Sequence, residues 1–226
     1  MDKVRTLWRE NKGFMLFLAL MFVFRSAVAD WNYVPSSSMN PTLLAGDRVV
    51  VNKLAYSLRV PFTLLELTRW STPQAGDVIT FDSPKDDVNL IKRVVGVAGD
   101  VVVMRGNHLS INGKPVERAL VQEQRQVPTE SGPVTEEIWR EQLGGKAIEV
   151  ARLPELNYIQ DFGPVVVPAD KLLVMGDNRD NSNDSRFIGF IDVHRVTGQA
   201  VRVALSHDAD NFYLPRSQRW WVPLHL

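Results

Sequence analysis

With 226 residues, the chain is long enough for one sizeable domain, or a main domain with an insert, around its own core. It contains no cysteine, which excludes disulfides, thiolate nucleophiles and cysteine-held metal sites. Its 26 basic and 26 acidic residues cancel, so nothing in the total charge calls for nucleic acid or a polyanionic partner. The four histidines, His108, His194, His207 and His225, are scattered with no paired-ligand spacing, and no metal or cofactor is expected. A Ser-His-Asp triad through His194 or His207 has no GxSxG elbow to support it.

The first 12 residues carry Lys3, Arg5, Arg9 and Lys12 against Asp2 and Glu10, and an unbroken apolar run follows from Phe14 to Phe24. A run apolar on every side behind a basic flank argues against a buried core helix. Two readings remain. Eleven apolar residues ending near Ala27-Val28-Ala29 have the form of a cleaved signal peptide. Residues 13–29, in contrast, just reach the ~17 residues a bilayer span needs, with Arg25 able to snorkel towards headgroups. The anchor is the preferred reading. It places residues 1–12 in the cytoplasm by the positive-inside rule and everything after residue 30 outside.

Beyond the anchor, short β-branched runs such as "DRVVVNKLAY", "GDVITF", "NLIKRVVGV", "GDVVVM", "KLLVMGD" and "GQAVRVAL" are divided by Gly, Pro, Asn and Asp. They predict a mostly-β, antiparallel domain, and Asn112-Gly113 predicts a tight hairpin turn. Residues 115–164 are polar, with one short amphipathic candidate at Thr135 to Leu143. They are read as an inserted smaller β-containing subdomain between core parts 30–114 and 165–226.

The stretch "VPSSSMNPTL" (34–43) offers three adjacent hydroxyls. An unactivated serine is a poor nucleophile, and in a chain so poor in histidine the usable base is a lysine kept neutral by desolvation or a neighbouring cation. In "VNLIKRVVGVAGD", strand alternation sets Lys92 on one face with Leu90 and Val94, and Arg93 emerges on the other. Periodicity alone favours both being ordinary charges on an edge strand. The acidic block "GDNRDNSNDSR" has the composition of a calcium loop but not its spacing. Counted from Asp177, the third position is Arg179, the sixth Ser182 and the twelfth Ile188. Paired-carboxylate chemistry at Asp177 and Asp180 is formally open, though nothing selects it.

"SMNPT" (38–42), "AGDVITF" (75–81), "IKRVVGVAGD" (91–100) and "MGDNRDNSNDSRFIGF" (175–190), in this order behind an N-terminal anchor, together resemble the bacterial type I signal peptidases. The resemblance runs from Trp31 to about Leu205 and hardly extends to residues 115–164, where that family varies widely. It implies a Ser-Lys endopeptidase with Ser38 as nucleophile and Lys92 as general base. The hydroxyl of Ser36 and the N–H of Ser38 would form the oxyanion hole, and Ser37 is given no role. The resemblance further implies that Ser182 hydrogen-bonds the lysine amine, and that Asp184 and Arg186 form a supporting ion pair. Asp177 and Arg179 are placed in the same supporting shell.

In such enzymes the substrate lies extended against strand edges, which makes Val34, Pro35, Met39, Leu43, Leu90 and Ile91 the pocket candidates. Ala-x-Ala is the expected cleavage signature. The implied partners are signal peptides of exported preproteins and membrane phospholipid. Phe62, Trp70, Trp220 and Trp221 are candidates for the lipid interface, with core packing an equal reading for the last two. The implied setting is a single-pass protein of the bacterial inner membrane with its catalytic domain periplasmic. Cleavage of its own Ala27-Val28-Ala29 site is also expected. The rivals are a Ser-Lys self-cleaving repressor, a single-substrate maturation peptidase, and an anchored β-rich binding module.

Overall fold

Alternation decides the architecture. The β-branched runs separated by turn residues become strands, and almost all of the regular structure after residue 28 is antiparallel sheet. The computed structural model describes residues 2–63, 65–129, 132–156, 158–208 and 211–224. The side chains of residues 2–10, 122–125 and 128–129 lie outside that description, as does His225. The basic flank read at Lys3, Arg5 and Arg9 is therefore not characterised at the side-chain level.

The chain opens with a helix, Asp2–Ala27. From Phe14 to Phe24 its large apolar side chains, the half-buried Leu18 excepted, are exposed. Among the described residues, no helix is long and apolar enough to cross a membrane. Arg25 turns back towards the domain: its Nε donates to Asp30 Oδ1 at 2.8 Å, and its guanidinium lies 5.2 Å from the Trp31 ring centre.

The main sheet has nine strands. Its central order is Ala29–Tyr33, Asp47–Asn52, Val196–Asp208, Val78–Asp82, Asn89–Gly96, Lys171–Met175 and Ile191–Asp192, with Leu214–Pro215 and Val222–Pro223 added along Val196–Asp208. The lysine strand, Asn89–Gly96, is thus interior and not at an edge. A second sheet of four strands joins Phe162–Val166 to Val101–Arg105, His108–Ile111 and Lys114–Pro115. Asn112 and Gly113 both take positive φ, at 53° and 76°, giving the tight turn expected there. Because Phe162–Val166 pairs with Val101–Arg105, this sheet runs across the boundary expected at residue 164.

Arg118–Thr129, Gly132–Leu143 and Lys146–Arg152 form a separate three-stranded sheet. The amphipathic candidate at Thr135 to Leu143 is part of its middle strand, where Val134, Glu136 and Ile138 alternate inward. The sheet shares a core with the rest of the protein: Leu143, Ile148 and Val150 pack in one cluster with Val95, Val102, Leu173 and Met175. It is also tied by charge, since Arg179 of the 177–186 loop donates to both Glu141 oxygens at 3.1 and 2.7 Å with both side chains buried. Arg179→Met strands the Glu141 carboxyl in the interior without its partner and should cost about 3–5 kcal/mol. Denaturant unfolding of the full chain in detergent measures this, and Arg179→Met with Glu141→Leu should recover most of the loss. A single variant as stable as the parent would show that the pair holds nothing.

Candidate active site

Three segments far apart in sequence supply the site. The interior strand Asn89–Gly96 carries Lys92 in register with Ile79 on one side, and Arg93 faces Met175 on the other. The loop that follows Tyr33 brings in Ser36, Ser37 and Ser38. The chain leaving Lys171–Met175 turns at Gly176 into the block that ends in the short helix Ser185–Ile188. Gly176 has to lack a side chain, because a Cβ there would lie 2.4 Å from the Ser38 carbonyl oxygen and 2.2 Å from Ser182 Oγ.

Lys92 is 3% exposed, and its Nζ donates to Ser38 Oγ at 2.6 Å and to the Ile91 carbonyl at 3.0 Å. Burial pulls the amine down from 10.5 to about 8, against the opposing pull of Asp184 and Asp177. Ser38 is half-buried, while Ser36 and Ser37 are exposed. Ser36 Oγ stands 3.4 Å from Ser38 Oγ, longer than an ordinary hydroxyl hydrogen bond. A hydroxyl in contact with a buried amine of lowered proton affinity is suited to acyl transfer, since the amine in its neutral form can accept the hydroxyl proton.

Around this pair the expected residues divide. Asp184 and Arg186 form a buried two-pronged ion pair, both bonds at 2.8 Å, and Asp184 also accepts from the Gly176 N–H at 3.0 Å. Asp177 is held by Arg93, Nε to Oδ1 at 2.8 Å and Nη2 to Oδ2 at 2.7 Å, and by the Thr42 hydroxyl at 2.5 Å. Arg93 does emerge on the face opposite Lys92, but that face is interior, and its charge is met by Asp177 and the Gly76 carbonyl. Arg179 bonds Glu141, and Asp180 accepts from Asn107 and from the Leu153 N–H.

Two expectations need correction. Ser182 is buried, but its Oγ has no hydrogen-bond partner and does not bond the lysine amine. The hydroxyl sits across Gly176 beside the Ser38 carbonyl, and the bonds of the amine go to Ser38 and Ile91. Among the pocket candidates, Met39 and Leu43 are 0% exposed and Val34 2%. They pack with Val49, Val78, Val203 and Leu224 and offer a ligand no surface, because the loop folds its apolar side chains inward. Pro35 is exposed, and Leu90 and Ile91 are partly so.

Sequence reasoning missed Arg93 as a buried partner of Asp177. It also missed Asn178 and Asn181, which bond the serine loop, and the insert residue Glu136, which accepts from Asn40 at 2.6 Å. Both asparagines lie inside the block already singled out, but nothing in their type separates a turn former from a clamp. Among the described residues, no group of three His, Cys, Asp or Glu is placed to hold a metal ion.

An antiparallel β scaffold presenting a serine to a buried lysine fits the serine peptidases. Comparison with known proteins narrows the class. The family described as "Signal peptidase, peptidase S26" matches residues 7–205. A signal peptidase I of Pseudomonas fluorescens is 35% identical over 218 residues, covering 91% of this chain and 75% of that protein. One from Pseudomonas aeruginosa is 36% identical over 219 residues with the same coverage, 91% and 75%. Another from Aquifex aeolicus is 34% identical over 225 residues, 85% of this chain and 82% of that protein. The chain belongs to the peptidase S26 family and is a signal peptidase, a serine peptidase that removes signal peptides from preproteins.

The lowered amine has a measurable consequence for stability. Between about 8 and 10.5 the unfolded chain binds more protons at this position than the folded chain, so stability rises with pH across that window. Below 8 the full cost is present, about 3 kcal/mol at ~1.4 kcal/mol per pKa unit. Lys92→Met should therefore unfold at higher denaturant than the parent at pH 7, with the advantage shrinking towards pH 10.5. Equal midpoints at pH 7 would show that burial does not hold the amine down.

Proposed function

We propose that the chain is a membrane-anchored endopeptidase that cuts signal peptides after Ala-x-Ala by a Ser38–Lys92 dyad. The observation that carries this reading is the 2.6 Å contact between Ser38 Oγ and a lysine amine that is buried and drawn down to about 8. Neutral Lys92 takes the proton of Ser38 as its oxygen attacks the scissile carbonyl. The N–H of Ser38 and the hydroxyl of Ser36 receive the oxyanion, and the amine returns the proton to the leaving amine. Water, deprotonated by the same lysine, then attacks the ester carbonyl, and the lysine gives that proton to the Ser38 oxygen as the ester bond breaks and the acid leaves. Asp177 with Arg93, and Asp184 with Arg186, keep the surroundings of the amine free of net charge.

The substrate lies beside the loop at Pro35 and the strand start at Leu90 and Ile91, the surface-accessible members of the expected pocket set. Small residues at the first and third positions before the cut follow from a shallow groove. The exposed run from Phe14 to Phe24 supports the anchor reading for residues 13–29, and the exposure of Phe62, Trp70, Trp220 and Trp221 favours lipid contact over core packing for those aromatics. In this reading the catalytic domain is periplasmic, the lipid partner is phospholipid, and the Ala27-Val28-Ala29 site is cut by the enzyme itself or by a second copy.

Cleavage of an exported preprotein by the detergent-solubilised chain between pH 6 and 10 tests the dyad. Activity should climb about tenfold per unit below pH 8 and level off above it, because only the neutral amine acts as a base. Ser38→Ala, Lys92→Ala and Lys92→Arg should be inactive while folded, the last because arginine stays protonated. Ser37→Ala should retain activity, and Ser36→Ala should lose roughly 10²–10³ in turnover. Cleavage by folded Ser38→Ala would turn the search to another nucleophile.

A further inference from the structure

We infer that Asn178 is a positioning residue for the oxyanion hole, locking the Ser37–Ser38 peptide so that the Ser38 N–H faces the reacting carbonyl. This rests on the proposed role of that N–H. The carbonyl and the N–H of one trans peptide point in opposite directions in a rigid plane, so fixing either fixes both. Asn178 Nδ2 donates to the Ser37 carbonyl at 3.2 Å, and the N–H leaving the same peptide is that of Ser38. The backbone N–H of Asn178 also donates to the Ser38 carbonyl at 3.1 Å, which fixes the next peptide as well. One residue therefore holds two successive carbonyls from the same side. Among the described residues, the Ser38 N–H itself donates to no protein acceptor, so it is free for an incoming oxygen.

A clamp must itself be immobile. Asn178 is 3% exposed and sits in a parallel bridge with Ala151, whose N–H donates to the Asp177 carbonyl at 2.8 Å and whose carbonyl accepts from the Arg179 N–H at 2.9 Å. Its chain neighbours Asp177 and Arg179 are each bound in a buried ion pair. Asn181 adds a bond from Nδ2 to Ser37 Oγ at 3.2 Å.

The half-satisfied amide of Asn178 points the same way. Its Oδ1 is buried without a partner, a cost that an apolar side chain would avoid if the position served packing alone. Turning the amide over would set Oδ1 against the Ser37 carbonyl oxygen. Only the NH2 group suits that place. The Asn40 N–H also donates to the Ser37 carbonyl, at 3.0 Å, so without Asn178 that carbonyl is held from within its own turn alone and the Ser37–Ser38 peptide, with its N–H, loses its tie to the 177–186 loop.

The test uses the full chain in detergent, with Asn178→Ala, Asn178→Asp and Ser38→Ala. Turnover of preprotein by Asn178→Ala should fall roughly 10- to 100-fold, less than the 10²–10³ of losing a donor outright, with KM and the pH midpoint near 8 unchanged. Affinity for a peptide boronate, which forms a tetrahedral adduct on the serine, should fall by the same factor, while affinity for the product peptide should not change. Asn178→Asp should be slower still, because its carboxylate repels the Ser37 carbonyl. Wild-type turnover in Asn178→Ala, or equal losses for boronate and product peptide, would overturn the inference. Should Asn178→Ala show no unfolding transition, the near-isosteric Asn178→Asp decides by the same two affinities. An active Ser38→Ala would instead bring down the proposed function; an inactive Ser38→Ala beside fully active Asn178 variants brings down this inference alone.

Discussion

A lysine amine able to lose its proton near neutral pH is kept where water hardly reaches it, and much of the surrounding structure follows from that constraint. Burial lowers the amine to about 8, while Asp184 and Asp177 push it back up. Each of these carboxylates is gripped by its own guanidinium, Asp184 by Arg186 and Asp177 by Arg93. A two-pronged pair presents the amine with a dipole and not a bare charge, and the field of a dipole falls away faster with distance. Desolvation therefore wins. The same pairing settles the burial of four charged side chains, which would each be costly alone.

The meeting of lysine and serine depends on sheet register. Met175 pairs with Arg93, so the next residue, Gly176, enters the loop beside Lys92. A one-residue slip of Asn89–Gly96 would send Lys92 to the opposite face and bring Arg93 to the serine, where it could not act as a base. Three features set the backbone of the loop against the serine segment: the bare Gly176 that leaves room for the Ser38 carbonyl, Asp184 fixing the Gly176 N–H from within the loop, and Asn178 on the Ser37 and Ser38 carbonyls. All three act on the backbone. A nucleophile loop without regular secondary structure thus acquires a defined path.

Legibility in the sequence followed the range of the interactions. Strands were visible because their alternation is local, and Asn112-Gly113 because a tight turn needs positive φ within two residues. The apolar neighbours of Lys92 allow an inward face, but an edge strand fits them as well, and only the accompanying motifs tip the reading to burial. The fate of Arg93 was not legible, because alternation says only that it lies opposite, and whether that side is solvent or core depends on Asp177, 84 residues away. Val34, Met39 and Leu43 were read as a surface for substrate because an extended peptide is expected along the strand edges beside the nucleophile; the apolar type of these residues fits core and pocket equally. Ser182 shows the limit of residue-by-residue transfer, since a position in a motif does not fix where a hydroxyl points.

The three-stranded sheet read from the sequence as a loosely defined polar insert is bound tightly to both site loops. It contributes no atom to the Ser38–Lys92 contact, yet Glu136 takes a hydrogen bond from Asn40 in the serine segment, and Glu141 takes two from Arg179 in the 177–186 loop. Lys146 reaches Asp77 from its third strand at 2.5 Å, and Ala151 bridges Asn178 through the backbone. Apolar packing alone would let such a sheet slide by a few ångströms at modest cost, because the attraction is non-directional and a side chain leaving one apolar neighbour meets the next. Buried charges do not permit this, because displacement strands each of them without a partner, at several kcal/mol apiece. The acidic residues that made the segment look solvated are the ones that fix its position, and through Asn40 and Arg179 they fix the two loops as well.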